Sequence, residues 1–235
     1  MINEWMAEGF TLRNERRDFV EWHRGRSPYV FWALDLDLPE VRLRQAQAAA
    51  HMRDFLLEGY VRQAHVTLDL CGFPALSPAA SDEVSADFLE KQWRAMQAAA
   101  LSPFEITLGH LNSFGSAAYL EVSDGGGEIA TLRGCLAGPA GHRLEGHFVP
   151  HVTVGLYADA WPAQAVLERL QSYAAVEPLC CRIERVSLMS YQPAEIAGPL
   201  TCLADYSLER ASLDWHSLTA SQAFISDSIL ENSLS

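Results

Sequence analysis

Two phrases of the chain, His65-Val66-Thr67-Leu68 and His151-Val152-Thr153-Val154, repeat one pattern in its two halves. Each sets an imidazole and a hydroxyl two positions apart, with apolar residues between and after them. That is the period of a β-strand with one buried face and one face free for other work. His65 and Thr67 then stand about 7 Å apart along one strand while Val66 and Leu68 face a core, and the same holds for His151 and Thr153. A fold that houses both strands side by side offers two acid–base groups and two hydroxyl donors to one small cavity.

The segments around these strands read as a mixed fold. Tyr29 to Leu36 is a core strand rich in aromatic and aliphatic residues. Pro39 opens a helix that runs through an alanine-rich middle to Glu58, with Gly59 closing it. The first motif strand spans about Gln63 to Leu70 and ends at Gly72 and Pro74. A second helix is expected from about Ser81 to Ala100, with Phe88, Leu89, Trp93 and Met96 on one side. Strands follow at Phe104–Leu108 and Ala117–Val122, then a break at Gly125-Gly126-Gly127 and a short helix carrying Ile129, Leu132 and Leu136. After the second motif strand, Asp159 caps a helix with Pro162 in its first turn, running to about Ala175. Strands near Arg182–Tyr191 and Leu200–Glu209 close the fold. Helices interspersed with strands, without strict alternation, favour α+β over a doubly wound parallel sheet. The similar placement of the motif strands predicts two pseudo-symmetric lobes around a cleft. Residues 1–27 are expected to be an N-terminal extension, 28–210 the bilobal domain, and 211–235 a Ser-rich flexible tail.

Charge and cysteine content narrow the function. A formal net charge of −13 over 235 residues repels a polyanion, which argues against a long duplex or RNA groove. A small phosphate ligand held in a local pocket is compatible with it. Five cysteines without a C-x-x-C pair support neither a disulfide framework nor a zinc knuckle, and reduced thiols in a cytoplasm are expected. No apolar run approaches the ~20 residues of a membrane span. The triple glycine lacks the lysine and spacing of a phosphate loop.

Two histidines across a phosphodiester suit acid–base work, because their unperturbed pKa lies near neutrality and one can be neutral while the other is protonated. The threonine hydroxyls donate to the non-bridging oxygens, where charge builds in the transition state. That scheme requires no metal or cofactor. The paired motifs resemble those of the 2H phosphoesterase superfamily, the bacterial 2′-5′ RNA ligase-like and cyclic phosphodiesterase proteins. The resemblance extends over Tyr29–Glu209 and includes Leu70-Cys71-Gly72 and Pro150 just before His151. It implies a bilobal α+β fold with two antiparallel sheets and a central cleft. It further implies reaction at 2′,3′-cyclic or 2′-5′ phosphodiester bonds, with His65 and His151 as acid and base and Thr67 and Thr153 on the phosphate. The expected partner is a small nucleotide or a cyclic-phosphate RNA end.

The chain departs from that family in two places. Leu156 stands where many members carry arginine, and Asp69 stands where a basic or neutral residue is common. On a regular strand Asp69 faces the catalytic side, opposing a phosphate or raising a histidine's basicity. Tyr157 shares the parity of His151 and is a candidate to stack on a base, with packing at the strand end as the other reading. Rival readings use the same residues. His65, Asp69 and His151 form a two-histidine, one-carboxylate metal set, which leaves both threonines unexplained. His147, in phase with His151, lies about 13 Å away along a strand. Cys71 lacks an evident partner for thiol chemistry. A cleft that binds a nucleotide without turnover is the non-enzymatic alternative.

Overall fold

The computed structural model describes residues 4–140, 148–174 and 177–216. A short 3₁₀ turn (Glu4–Glu8) and α1 (Val20–His23) precede β1 (Tyr29–Asp35), α2 (Pro39–Met52), β2 (His65–Pro74), β3 (Glu83–Val84) and α3 (Ala86–Ala99). Then come β4 (Phe104–Ser113), β5 (Ala117–Asp124), α4 (Glu128–Ala137), β6 (His151–Leu156) and α5 (Ala163–Gln171). Strands β7 (Leu179–Ile183), β8 (Arg185–Tyr191), β9 (Thr201–Ser207) and β10 (Ser212–Trp215) complete the fold. Six strands form one sheet in the order β10-β9-β8-β1-β2-β3, and four form a second in the order β6-β5-β4-β7. The α+β class with two sheets is as the sequence predicts. Pairing is antiparallel apart from the two-residue β2–β3 contact.

Each half contains a strand, a helix and a motif strand: β1-α2-β2 in the first and β5-α4-β6 in the second. The helices are exchanged between the halves. Helix α2 packs on β6 of the second sheet, and α4 packs on β2 of the first. One continuous core therefore runs through both lobes, joining Val30, Trp32 and Leu34 of β1 to Leu120, Val122 and Val152 of the second sheet. Since apolar burial is the main favourable term in folding, neither lobe keeps its core without the other's helix. Motif strands β2 and β6 come together where the lobes meet.

Several boundaries differ from the sequence reading, each for a local reason. Helix α2 stops at Met52 rather than Glu58, because the following residues bond to the second motif strand. Leu57 N–H donates to the Leu156 carbonyl and Ala158 N–H to that of Phe55. Helix α3 starts later than expected, at Ala86, where the Ser85 hydroxyl accepts from Phe88 N–H as an N-cap. Helix α5 begins after Pro162 and not at Asp159, whose carboxylate accepts from Ala160 N–H and not from a helix N–H. The single strand expected at Arg182–Tyr191 is two, since the chain leaves the second sheet at Glu184 and enters the first as β8. Residues 212–215, expected within the tail, pair with β9 instead. His142, His147 and the tail from residue 217 lie outside the described residues.

The N-terminal stretch packs against the second lobe. Phe10 bridges Pro162, the Thr11 hydroxyl donates to the Asp159 carbonyl, and Asn14 donates to the carbonyls of Ser116 and Tyr157.

Candidate active site

The motif side chains project from the cleft face of their sheets. Residues paired across antiparallel strands share a face, and β2 pairs Asp35 with His65, Leu34 with Val66 and Ala33 with Thr67. Val66 and Leu34 are fully buried in the main core, so His65 and Thr67 face the other way. The floor beside them is a separate small apolar cluster of Phe31, Ala33, Met189 and Leu200, flanked by Tyr191. In the second sheet β6 pairs His151 with Glu121, Val152 with Leu120 and Thr153 with Tyr119. There too the valine and its partner are core, which turns His151 and Thr153 to the cleft.

The two imidazoles are held in the same manner. His65 Nδ1 lies 2.8 Å from the Gln63 carbonyl, and His151 Nδ1 lies 2.8 Å from that of Val149. A carbonyl only accepts, so Nδ1 carries the proton in each neutral ring and Nε2 is left with a lone pair. Aromatic rings fix both orientations: Phe31 packs 5.6 Å from His65, while Phe114 and Tyr119 meet His151 edge-on at 4.8 and 5.4 Å. Burial disfavours the charged form and pushes the His65 pKa down to about 4, aided by the positive field of Arg62 and by His151, against the Gln63 hydrogen bond and Asp35. Burial also lowers His151, against its Val149 hydrogen bond. His65 feels the charge of His151, which places the two rings in one electrostatic site.

Both motif strands break register directly after the threonine. In β2, Thr67 and Asp69 oppose the adjacent residues Ala33 and Trp32, leaving Leu68 as the extra residue. In β6, Thr153 and Gly155 oppose Tyr119 and Ala118, leaving Val154. A bulge of this kind reverses the facing of the residues beyond it, up to the next irregularity, which in β2 comes at Cys71. Two sequence-based assignments are corrected as a result. Asp69 leaves the cleft side and shares the Trp32 face, where its carboxylate accepts from Gln92 Nε2 at 2.7 Å. Gln92, fully buried, also accepts from Trp32 Nε1 at 2.8 Å and donates to the Leu136 carbonyl at 2.9 Å. With Asp69 turned away, the His65-Asp69-His151 metal set is not assembled. Tyr157 is likewise fully buried, its hydroxyl 2.5 Å from that of Ser113, and is withdrawn as a base-stacking surface. Gly155 lets Leu56 pack closely at the second bulge: a Cβ there would lie 2.8 Å from Leu56 Cδ1, so that side chain would have to shift.

Cys71 is buried, and desolvation raises its thiol pKa well above the usual value, which does not suit a nucleophile. Among the described residues the metal-capable group is Cys202, Asp205 and His216, with ligand atoms within 4.8 Å. Asp205 there already accepts from Ser187 and is paired with His216 and Arg185, whose guanidinium opposes a cation. Strand β9, which carries two of the three, lies three strands from β2.

The site contains residues that the sequence reading passed over. Residues 57–64 form a strap from the end of β6 to the first sheet. Val61 N–H donates to the Ala197 carbonyl, and the Gln63 side chain both donates to and accepts from the Leu200 backbone. Along the strap, Tyr60 sets its hydroxyl by that of Thr153, and the Arg62 guanidinium lies 4.3 Å over the Tyr191 ring. A cavity of about 580 Å³ adjoins the strap, lined by Arg42, Gln45, Tyr60, Arg62, Gln63 and Val154.

The family model of the 2′-5′ RNA ligase superfamily matches residues 38–195. Among solved structures, a Thermus thermophilus protein aligns at 17% identity and a TM-score of 0.50, over 77% of this chain and 97% of its own. Escherichia coli LigT complexed with 3′-AMP aligns at 18% identity and a TM-score of 0.50, over 77% of this chain and 98% of its own. These likenesses extend to the fold. No curated protein matches the chain.

Proposed function

The chain belongs to the 2′-5′ RNA ligase superfamily, and from that premise we propose that it is a metal-independent phosphodiesterase opening 2′,3′-cyclic (or 2′-5′) phosphodiesters of a small nucleotide or RNA end. The observation that carries this reading is the matched pair of imidazoles, each anchored through Nδ1 to the carbonyl two residues upstream. A structural histidine has no reason to be duplicated with its tautomer, its threonine and its bulge.

In the proposed reaction a water oxygen attacks phosphorus and loses a proton to one Nε2. The bond from phosphorus to the departing 2′ or 3′ oxygen breaks, and that oxygen takes a proton from the other imidazole. His65, deeper and held neutral, fits the base, and His151 fits the acid once the bound phosphate anion favours its charged form. Thr67 and Thr153 donate to the non-bridging oxygens. The net acidic surface favours a small substrate. Among the described residues no helix is long and apolar enough to cross a membrane, and the five cysteines are free, which suits the reducing cytoplasm proposed for it.

The test is product analysis with a 2′,3′-cyclic mononucleotide and a cyclic-phosphate-ended oligonucleotide, chelator present, for wild type, His65→Ala and His151→Ala. Turnover that falls about 100-fold or more in each variant is expected. Turnover that survives both substitutions overturns the assignment, and saturable binding without turnover identifies a nucleotide-binding protein.

A further inference from the structure

We propose that Arg62 is the phosphate-binding cation of this site, a residue supplied by the strap before the first motif strand; the proposal deepens the phosphodiesterase reading and rests on it for the identity of the anion. The argument begins from what the motif lacks. Two imidazoles and two hydroxyls contribute no fixed charge, while the bound phosphodiester is an anion and its transition state carries more negative charge. Leu156, past the second bulge, adds no charge either, and a chain of net charge −13 does not supply diffuse positive potential.

Arg62 has the properties such a group needs. Most other arginines in the described residues are committed: Arg26 to Asp82 and Glu83, Arg94 to Glu90, Arg169 to Asp54, Arg185 to Asp35 and Asp205, Arg210 to Asp214. The Arg62 side chain forms no ion pair and no hydrogen bond among the described residues, and its Nε is buried without a partner. An unpaired buried donor on a charged group is costly; Arg44, whose Nη1 is likewise buried without a partner, is held through Nη2 to the Glu177 carbonyl, whereas Arg62 has no such bond among the described residues. The guanidinium carbon lies 4.3 Å from the Tyr191 ring centroid, a cation–π contact that holds the group beside the floor of the cleft without engaging its N–H donors in a hydrogen bond. Tyr191 in turn packs 6.0 Å from Phe31, the ring against His65. Gln63, one residue on, anchors His65 through its carbonyl and is itself clamped to Leu200 through its side chain. The strap thus positions base and cation together, and the planar fork of arginine suits paired oxygens of a phosphate.

The experiment uses the full chain with Arg62→Gln, Arg62→Lys, and Arg53→Gln as a control that removes one charge at an exposed position. Calorimetric titration with inorganic phosphate and with nucleoside 2′- and 3′-monophosphates measures the anion site without requiring turnover. Arg62→Gln is expected to weaken monophosphate binding about 10- to 100-fold, the range for a lost charged hydrogen bond. Arg62→Lys, which keeps the charge without the fork, falls between, and Arg53→Gln binds as wild type. The acid limb of kcat/KM provides a second readout. Arg62 and His151 oppose protonation of His65 and Asp35 favours it, so removing the guanidinium moves that limb to higher pH. Thermal midpoints recorded for each variant separate a loss of fold from a loss of the anion site. Unchanged phosphate binding in Arg62→Gln and Arg62→Lys overturns the proposal, as does a failure of the wild type to bind any monophosphate. Arg62-dependent binding in a protein that opens no cyclic ester leaves the cation site standing and removes the phosphodiesterase reading instead.

Discussion

Burial of His65 makes a prediction about stability that is independent of substrate. The residue is 8% exposed and its pKa is pushed down to about 4 from the ordinary 6.5, chiefly by desolvation. The unfolded chain takes up a proton on this residue near pH 6.5, whereas the folded protein resists it until about pH 4. Between those values the unfolded state binds more protons, so stability rises with pH across the window. The contribution is fully present above about pH 6.5 and is lost as pH falls towards 4. The gap between 6.5 and about 4 corresponds to about 3 kcal/mol, a sizeable share of the roughly 5–15 kcal/mol that holds a domain folded. His65→Gln removes the titration while keeping a side-chain donor able to reach the Gln63 carbonyl. Urea unfolding of both proteins at about pH 7, 5.5 and 4 isolates the residue, because the shared carboxylates cancel in the difference. The wild type is expected to lose about 3 kcal/mol more than the variant between the two extremes. Parallel losses in the two proteins would refute the reasoning, since His65 would then titrate alike in both states and could not be desolvated as described.

Two further outcomes test the consequences of the bulges. Tyr157→Phe is expected to cost about 0.5–1.5 kcal/mol, the net worth of one buried hydrogen bond, with Ser113 still donating to the Phe114 carbonyl at 2.6 Å. Urea midpoints check that loss, and an altered KM for a cyclic nucleotide at unchanged stability would return Tyr157 to the substrate. Gln92→Leu strips the buried Trp32 Nε1 and the Leu136 carbonyl of their partner and is expected to destabilise by about 2–5 kcal/mol. A loss below about 1 kcal/mol in denaturant unfolding would show that water or a rearranged side chain serves those groups.

The motif strands were legible because alternation exposes a strand's faces whatever surrounds it. Val66 and Val152 identify the core side, and His65, Thr67, His151 and Thr153 follow by parity. Elements set by tertiary hydrogen bonds were not legible. An alanine-rich helix has no local reason to stop at Met52, and it stops because Phe55 and Leu57 are bonded to the far side of the second motif strand. The division of β7 from β8 at Glu184 is similarly hidden, since a strand that changes sheets keeps the same propensities on both sides of the change.

Parity failed at the same step in both halves, one residue past the threonine. An inserted residue inverts the facings that follow it while leaving composition untouched. Gly155 is the one local sign of it, as a glycine within a strand often marks a bulge or a close approach, and Leu68 gives none. The failure bears directly on charge. A regular first strand would aim Asp69 at the phosphate, and a regular second strand would offer Tyr157 to a base. The bulges send the carboxylate to Gln92 and the phenol to Ser113, so each motif delivers a histidine and a threonine and then returns to the core. Whatever fixed charge the cleft has must therefore come from outside the motif strands, and the strap carrying Tyr60 and Arg62 is a segment that reaches both lobes and bears such a charge. On that geometry the charged groups that act on His65 are Arg62 on the strap, His151 across the cleft and Asp35 on the neighbouring strand, while the carboxylate of Asp69, two residues past Thr67, is turned to Gln92.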